Sequence, residues 1–198
     1  SLKQFPNILY LNKKWVSKLI DDNQLPTGLT LTKDQLVNGL DLTRNEFKSI
    51  LKKFNDLDMD GDNSAANEVP LSFVSSNWQG NESDLIASFG LAENREHKTV
   101  IDGKITFTFT DEKWFNAVRE LATWFNSKLI RATSYTQTGD NDFLAKGQDG
   151  RYGSFYWWEK NTVLAKEFRD DYIIVLPLRN DDDIDPSTGK GRRYVGLS

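Results

Sequence analysis

The spacing of apolar residues predicts two helices in the first third of the chain. Asn12 precedes residues 13–20, in which Trp15 and Leu19 share one face, so Asn12 is the expected N-cap. Thr43 and Glu46 form a capping box, in which Ser or Thr is followed three residues later by Glu, and they open the second helix. Its apolar residues at helical spacing are Phe47, Ile50, Leu51 and Phe54.

A longer helix is predicted after Thr110, which is its expected N-cap. Asp111 and Glu112 fall in the first turn, where the helix dipole favours acidic side chains. Its apolar stripe consists of Trp114, Val118, Leu121, Phe125 and Leu129. Since this spacing is typical of a buried helical face, we interpret the stripe as core rather than as a ligand platform. Shorter helical segments are predicted at residues 84–89, 143–147 and 159–169.

Runs of apolar, aromatic and β-branched residues predict the strands, at residues 5–11, 69–74, 151–158 and 172–176. Asp102-Gly103 suits a type I′ turn and joins residues 99–101 and 104–109 into a hairpin. The chain is polar from residue 180, and residues 180–198, with the basic run at 190–193, are interpreted as a polar tail or as the start of a return to another lobe. Strands and helices mixed without internal repeats predict an α/β fold, with helices packed on a mostly parallel or mixed sheet.

The strongest chemical pattern is the acidic loop at residues 58–70. Asp58, Asp60 and Asp62 alternate, Gly61 permits a sharp turn, and Glu68 follows. Ca²⁺ takes about six to eight oxygen ligands, and alternate acids in a curled loop can all point inward. The loop therefore predicts a structural calcium site, and the alternative is a solvated acidic turn.

Two registers of this loop are compatible with an EF-hand arrangement. If Asp56 is position one, Asn67 falls at position twelve, where an EF-hand has a bidentate Glu. If Asp58 is position one, the Ser64 carbonyl can take the seventh position, and Asn67 and Glu68 close the loop. We prefer the second register because it gives Glu68 a role. The predicted ligands are then Asp58, Asp60, Asp62, Ser64, Asn67 and Glu68.

Composition narrows the class of protein. The net charge of −4 provides no basic face for nucleic acid. The chain has no Cys, so it has neither a disulfide framework nor a Cys zinc site, and its one histidine, His97, is expected at the surface. The sequence contains neither an apolar run of the about 18 residues that a membrane helix needs nor a signal-peptide pattern. It also lacks the glycine-rich motifs of dinucleotide-binding and P-loop proteins and the hydrolase elbow.

Several aromatic residues are candidates for contact with a ligand. Trp78 lies in the polar stretch of residues 75–80, where a flat indole could stack against a sugar ring or fold back onto the core. Tyr156, Trp157 and Trp158 are consecutive on a predicted strand, so alternation sends Trp157 to one face and its two neighbours to the other.

Several motifs of the chain occur in a recognisable order. ILYLNKKW at residues 8–15 is followed by LTRNEF at 42–47, by the acidic loop, by SFGL at 88–91 and DGK at 102–104, and by FLAKG at 143–147. This series resembles the family 1 extracellular solute-binding proteins of bacterial ABC importers, lipoproteins that often carry oligosaccharides. In that family a T-x-x-E-F helix precedes a calcium loop of the form D-x-N-G-N-G-K-x-D-E-I-P. The present loop departs from that form by one extra residue before Asn67-Glu68 and by Asn67 in place of an Asp.

The resemblance implies a periplasmic-binding-protein-like lobe, with residues 1–198 forming mostly the second lobe of a two-lobe protein. The first lobe, the signal peptide and the lipid-anchoring Cys would lie outside these residues. The implied protein is a monomer held by a lipid anchor at the extracellular face of the membrane. It would capture an oligosaccharide or similar small solute between its lobes and deliver it to ABC permease subunits, and it would not be an enzyme.

On this resemblance the calcium loop is structural and distant from the ligand. The expected ligand-binding residues are Tyr10, Asn77, Trp78, Gln79, Trp157 and Trp158. One alternative is a calcium-stabilised cell-surface adhesion or interaction module. Another is a glycosidase with two carboxylates across a cleft, although sequence spacing identifies no such pair among the 29 acidic residues.

Overall fold

Three strands pair at the centre of the protein in the computed structural model, which describes residues 7–196. Strand β1 (Ile8–Asn12) lies between β4 (Ser154–Trp157) and β5 (Tyr172–Val175), and it is antiparallel to both. β4 and β5 therefore run in the same direction. The first predicted strand is confirmed from residue 8 onward, and residues 5 and 6 lie outside the described part of the chain.

Residues 69–74 extend this sheet in parallel with β4. The Val69 amide donates to the Arg151 carbonyl (3.1 Å), and the Ser72 amide donates to the Ser154 carbonyl (3.1 Å). The predicted strand appears as isolated parallel bridges rather than a continuous strand. Pro70 lies inside the segment and has no N–H to donate. The parallel bridges and the antiparallel pairs together make a mixed sheet, which confirms the predicted α/β class.

Helices pack on this sheet, and the first two begin at the capping residues that the sequence predicts. Helix α1 (Lys13–Asp21) has the predicted N-cap, since the Asn12 side chain accepts from the Trp15 amide at 3.1 Å. Helix α2 (Arg44–Asp56) begins with the predicted capping box, in which Thr43 and Glu46 each accept from the other's amide. The apolar residues predicted for its inner face, Phe47, Ile50, Leu51 and Phe54, are all fully buried.

The remaining elements follow in chain order. The other helices are α3 (Ser83–Ala87), α4 (Glu112–Asn126), α5 (Asn141–Gln148) and α6 (Lys160–Val163). Short 3₁₀ turns lie at Lys33–Leu36, between α1 and α2, and at Thr108–Thr110, Ala132–Tyr135 and Lys166–Asp171. Strands β2 (Lys98–Ile101) and β3 (Lys104–Phe107) form the predicted hairpin, with φ of +50° at Asp102 and +76° at Gly103. No helix among residues 7–196 has both the length and the apolar character needed to cross a membrane.

Helix α4 differs from its prediction in its cap and in its buried face. Asp111, and not Thr110, is the N-cap, since its carboxylate accepts from the Lys113 amide at 2.8 Å. The buried residues of α4 are Ala117, Leu121 and Trp124. The Trp124 ring packs against Phe47 of α2, with the ring centroids 6.3 Å apart. The helix is therefore rotated from the predicted orientation, and part of the predicted stripe faces solvent.

Residues 179–193 form a hairpin and not the polar tail that was one of the two interpretations of residues 180–198, and the other, a return to another lobe, stays a prediction. Strands β6 (Arg179–Asp185) and β7 (Lys190–Arg193) form an antiparallel hairpin. Arg44, buried at the start of α2, donates to the Asn180 side chain (3.2 Å) and to the Asp182 carboxylate (2.8 Å). A buried guanidinium requires such acceptors, so the polar composition of the hairpin is what holds it against α2.

The predicted helix at residues 159–169 is also wrong in part. It divides into α6 and the 3₁₀ turn at Lys166–Asp171, with extended backbone at Leu164. The Arg169 side chain donates to the Leu164 and Asn161 carbonyls, at 3.1 and 3.0 Å. These bonds satisfy carbonyls that a continuous helix would have used for its own backbone.

Two apolar clusters lie on opposite faces of β1. Leu9 and Leu11 point into the larger cluster with α1, α2 and α4, whereas Tyr10 points into a second, aromatic cluster with β4 and α5. Gly153 lies where β4 meets the larger cluster, and its carbonyl accepts from the Asn12 amide at 2.8 Å.

We expect Gly153→Ala to destabilise the protein. A Cβ at this position would lie 2.4 Å from Phe54 Cδ2 and 2.9 Å from Trp15 Cζ3, both of which belong to rigid buried rings. Overpacking of this kind costs about 1–3 kcal/mol, which lowers the melting temperature by several degrees. Gly139→Ala is the matched control, because a Cβ there meets nothing within 4 Å. Equal melting temperatures for the two variants would contradict this packing.

Candidate functional site

The direction of the strands defines two opposite edges of the sheet. Residues 69–74, β4 and β5 run the same way, so their carboxyl ends meet at one edge, and we call this the carboxyl edge. The segment that follows residues 69–74 lies there and contacts both the turn at Ala132–Tyr135 and the residue before β1. The Ser75 amide donates to the Ser134 carbonyl (3.0 Å), and the Gly80 amide donates to the Asn7 side chain (2.7 Å). In open α/β sheets, ligands bind outside the carboxyl ends of the strands.

Trp78 lies on the loop of residues 75–82 at the carboxyl edge, and 54% of its surface is exposed. The loop is held against the end of β4, since a Cβ at Gly80 would lie 2.2 Å from Cε3 of Trp157. The predicted polar neighbours Asn77 and Gln79 are half-buried. The Asn77 carbonyl accepts from the Asn81 side chain at 3.1 Å. The buried Gln79 Oε1 atom has no hydrogen-bond partner among residues 7–196.

Two of the predicted ligand-binding aromatics are buried. Trp157 is 2% exposed, its ring lies 4.9 Å from that of Phe143, and its indole N–H donates to Thr162 Oγ1 at 2.9 Å. Tyr10 is 5% exposed, and burial raises the pKa of its hydroxyl to about 12. Neither ring offers an open face to a ligand, because both fill the aromatic cluster beneath the carboxyl edge. Trp158 is half-buried and follows β4 at this edge.

A cavity of about 480 Å³ beside the 75–82 loop was missed by the sequence interpretation. Its walls include Glu82, His97, Trp114, Val118, Phe125 and Tyr135. The prediction that the α4 stripe is core is wrong for Val118 and Phe125, which are more than a third exposed. The sequence contained one signal of this cavity. Helix α4 has large apolar residues on more than one face, whereas a surface helix normally has a single apolar stripe.

Two carboxylates, one half-buried and one buried, lie near the wall of this cavity. Glu82 Oε1 accepts from the Ser75 hydroxyl at 2.6 Å, and burial raises the pKa of Glu82, an effect that the Ser75 hydrogen bond partly offsets. Glu93 is fully buried, and its Oε1 atom lies 3.3 Å from His97 Nδ1. His97 was expected at the surface, and its half-exposed ring instead borders the cavity with one edge turned towards Glu93.

The acidic loop lies at the other edge of the sheet, before the amino ends of residues 69–74 and β4. Ligand oxygens of Asp58, Asp60 and Asp62 all lie within 4.8 Å of one another. Asp58 accepts from the Gly61 and Asn63 amides, at 2.7 and 2.9 Å. Asn63 has a φ of +69° and stands at position six of the register that begins at Asp58, where an EF-hand has glycine. Gly61, position six of the register that begins at Asp56, has a φ of +86°, so the backbone at position six fits both registers and the preferred one stays a prediction.

The residues that close the loop are less regular. Glu68 lies outside the aspartate group, and its Oε1 atom accepts from the Met59 amide at 2.8 Å. The Asn67 side chain donates to Asp62, and the Ser64 hydroxyl accepts from the Ala66 amide at 3.2 Å. Asn67 Oδ1 and Glu68 Oε2 are buried, and neither atom has a hydrogen-bond partner within the described chain.

These oxygens fit a hard cation. Three adjacent carboxylates repel one another, and Arg151 offsets only part of that repulsion, with its Nη1 atom 3.3 Å from Asp60 and 3.5 Å from Asp62. Buried acceptors without partners are rare and costly. An oxygen-binding cation such as Ca²⁺ would neutralise the carboxylates, and it would supply a partner for the unpaired acceptors if the loop closed around it.

Comparison with known proteins finds similarity to substrate-binding proteins of ABC transporters. No family model matches. The fructooligosaccharide ABC transporter substrate-binding protein FusA of Streptococcus pneumoniae is 28% identical over 177 residues, which cover 89% of this chain and 29% of FusA. The structure of FusA with kestose has a TM-score of 0.71 at 26% identity, over 96% of this chain and 34% of that one.

Two further structures are similar. An EF-hand mutant of FusA in complex with fructo-nystose has a TM-score of 0.70 at 26% identity, over 98% of this chain and 34% of that one. An extracellular solute-binding protein of Bifidobacterium longum subsp. infantis has a TM-score of 0.72 at 19% identity, over 98% of this chain and 37% of that one, and it supports the fold alone.

The chain spans about a third of the length of each of these proteins. All of them are binding proteins, in agreement with the prediction that the chain is not an enzyme, and they give no support to the glycosidase alternative. The chain is a relative of the ABC-transporter substrate-binding proteins and has the periplasmic-binding-protein-like fold of the corresponding third.

Proposed function

We propose that residues 1–198 form one ligand-binding lobe of an ABC-importer substrate-binding protein, and that the protein captures an extracellular oligosaccharide at the carboxyl edge. The observation that carries this proposal is the exposed indole of Trp78, held by a well-packed loop where the parallel strands end. FusA, the relative described above, is named for fructooligosaccharides and was solved with kestose. Fructooligosaccharides are therefore the first ligands to test.

The chemistry of the 75–82 loop suits a sugar. A flat aromatic ring can pack against the C–H face of a sugar, while neighbouring amides bind its hydroxyls. Asn77, Gln79 and Trp158 lie near Trp78 in sequence or at the same edge, and we assign them to the ligand side. Tyr10 and Trp157 support that surface from beneath, because both are buried in the aromatic cluster.

A second lobe would complete the site. The chain spans about a third of its relatives, and a sugar at the exposed carboxyl edge would keep one face in water. Closure of a second lobe over this edge is a hinge motion that would bury that face. The protein would be a monomer, tethered by a lipid anchor outside these residues to the extracellular face of the membrane, and would deliver its ligand to ABC permease subunits.

The acidic loop is proposed as a structural calcium site. Asp58, Asp60 and Asp62 would provide carboxylate ligands, the Ser64 carbonyl the next, and Asn67 and Glu68 would close the shell through their unpaired oxygens. The relative FusA has an EF-hand, since one of its structures is of an EF-hand mutant. Calcium here would fix the connection between α2 and residues 69–74, at the edge of the sheet opposite Trp78.

Removal of Ca²⁺ is expected to lower the melting temperature. A ligand that binds only the folded state at 100 times its Kd stabilises it by about 2.7 kcal/mol, which corresponds to a shift of several degrees. Melting is measured in EGTA and in millimolar Ca²⁺. The double variant Asp58→Asn/Asp60→Asn should lose the shift. The control Asp34→Asn/Glu96→Gln, which removes the same charge at exposed positions, should keep it. Identical melting in EGTA and Ca²⁺ would contradict the site.

Trp78→Ala in the full-length protein is expected to weaken binding without unfolding it. An aromatic stacking contact contributes about 0.5–1.5 kcal/mol beyond its buried area, so loss of the ring should weaken kestose binding by about tenfold or more. An exposed substitution should change stability by less than about 0.5 kcal/mol. Calorimetry and thermal melting test the two effects. Phe109→Ala, an exposed aromatic on the hairpin side, is the control. A large loss of stability with unchanged affinity would show that Trp78 is a packing residue.

The isolated chain is expected to bind kestose at least about 100-fold more weakly than the full-length protein, a difference of about 2.7 kcal/mol. Its carboxyl edge would leave one face of the sugar in water. Calorimetry with both proteins tests this, and cooperative melting of the isolated chain is the control for folding. Equal affinities would mean that this lobe alone forms the site.

A further inference from the structure

The cavity beside the 75–82 loop combines apolar walls with two unsatisfied polar groups. Its volume of about 480 Å³ falls within the roughly 300–1,000 Å³ of small-molecule pockets. Phe125 and Tyr135 line the cavity and contact each other edge to face, with ring centroids 5.9 Å apart. Glu82 and Trp114 line the same cavity, and Glu82 Oε2 and Trp114 Nε1 are buried atoms without a hydrogen-bond partner among the described residues.

These two groups set a requirement on the ligand. A carboxylate oxygen accepts a hydrogen bond, whereas an indole N–H only donates one. A buried polar group without a partner is destabilising, so a ligand that pairs both groups removes that cost on binding. Such a ligand must carry a donor and an acceptor on a body small and apolar enough to fit between aromatic side chains.

One class of ligand meets these conditions best. A hydrocarbon would leave both polar groups unpaired, and a simple cation would pair Glu82 but leave the Trp114 N–H without an acceptor. Each hydroxyl of a sugar both donates and accepts, and the C–H faces of the sugar pack on aromatic rings. The last side-chain torsion of Glu is soft, so Oε2 can turn towards a hydroxyl at small cost.

We propose that this cavity is a subsite for one sugar ring, in which a hydroxyl donates to Glu82 Oε2 and a hydroxyl oxygen accepts from the Trp114 indole N–H. This proposal rests on the proposed function and extends its ligand site beyond Trp78. Ser75 and Glu82 bound the loop that bears Trp78, and the Ser75 hydroxyl donates to Glu82, so the cavity adjoins that loop. The ring in the cavity would be a unit of the same oligosaccharide.

Two conservative variants test the contribution of each polar group to binding separately. Trp114→Phe keeps an aromatic ring beside His97 but removes the N–H, and Glu82→Gln keeps the shape but removes the charge. A hydrogen bond to a charged group is stronger than one between neutral groups. By calorimetry on the full-length protein we expect about 3- to 10-fold weaker kestose binding for Trp114→Phe, which loses its hydrogen bond, and about 5- to 10-fold weaker binding for Glu82→Gln, which keeps a neutral acceptor. Glu112→Gln, an exposed charge at the start of α4, is the control and should bind as the wild type.

Indole NMR of the wild type gives a second readout that does not depend on variant stability. The protein is labelled with ¹⁵N, and the Trp114 N–H signal is the one absent from Trp114→Phe. We expect this signal to shift on addition of kestose. If the signal stays fixed and both variants bind like the wild type, while Trp78→Ala loses affinity, the subsite is wrong and the proposed function stands. If the wild type binds neither kestose nor any other sugar of a panel, both proposals fail.

Discussion

The parallel pairing of residues 69–74 with β4 is the constraint on which the layout of the molecule depends. It leaves the acidic loop at the amino end of this segment and the Trp78 loop at its carboxyl end. A strand of six residues spans about 20 Å, so the two chemical centres are separated by the length of the sheet. A cation at one end therefore does not approach a ligand at the other, and its effect is exerted through the stability of the shared segment.

The exposed and the buried aromatic residues have different roles at the carboxyl edge. Trp157 lies beneath the loop and contacts Gly80, whose φ of +70° and missing side chain let the backbone approach the indole. The contact at Gly80 holds the loop that carries Trp78 in place. Because a rigid loop loses little conformational freedom, the entropic cost of binding a ligand there would be small. The buried tryptophan thus determines the position of the exposed one.

Local signals allowed much of the fold to be predicted. The Thr43 capping box, the Asn12 cap and the Asp102-Gly103 turn each depend on residues within a few positions, and all three appear in the structure. The hairpin of β6 and β7 could not be predicted in this way. Its acceptors pair with Arg44, more than 130 positions earlier in the chain, and only the folded structure brings these groups together.

The candidate site was predictable to the extent that its chemistry is local. The three aspartates alternate within five residues, so their convergence follows from the backbone of one loop. The face that Trp157 presents depends on the register of β4 against β1, in which Trp157 pairs with Ile8 at the far end of the chain. The cavity depends on still more distant elements, because its walls come from α4, from the segment before α3 and from the turn at Ala132–Tyr135. Alternation assigns residues to opposite faces of a strand, but only the packing of such distant elements determines which face is core. For that reason the proposed metal ligands form a contiguous motif, whereas the proposed ligand surface combines Trp78, which the sequence suggested, with Glu82 and Trp114, which it did not.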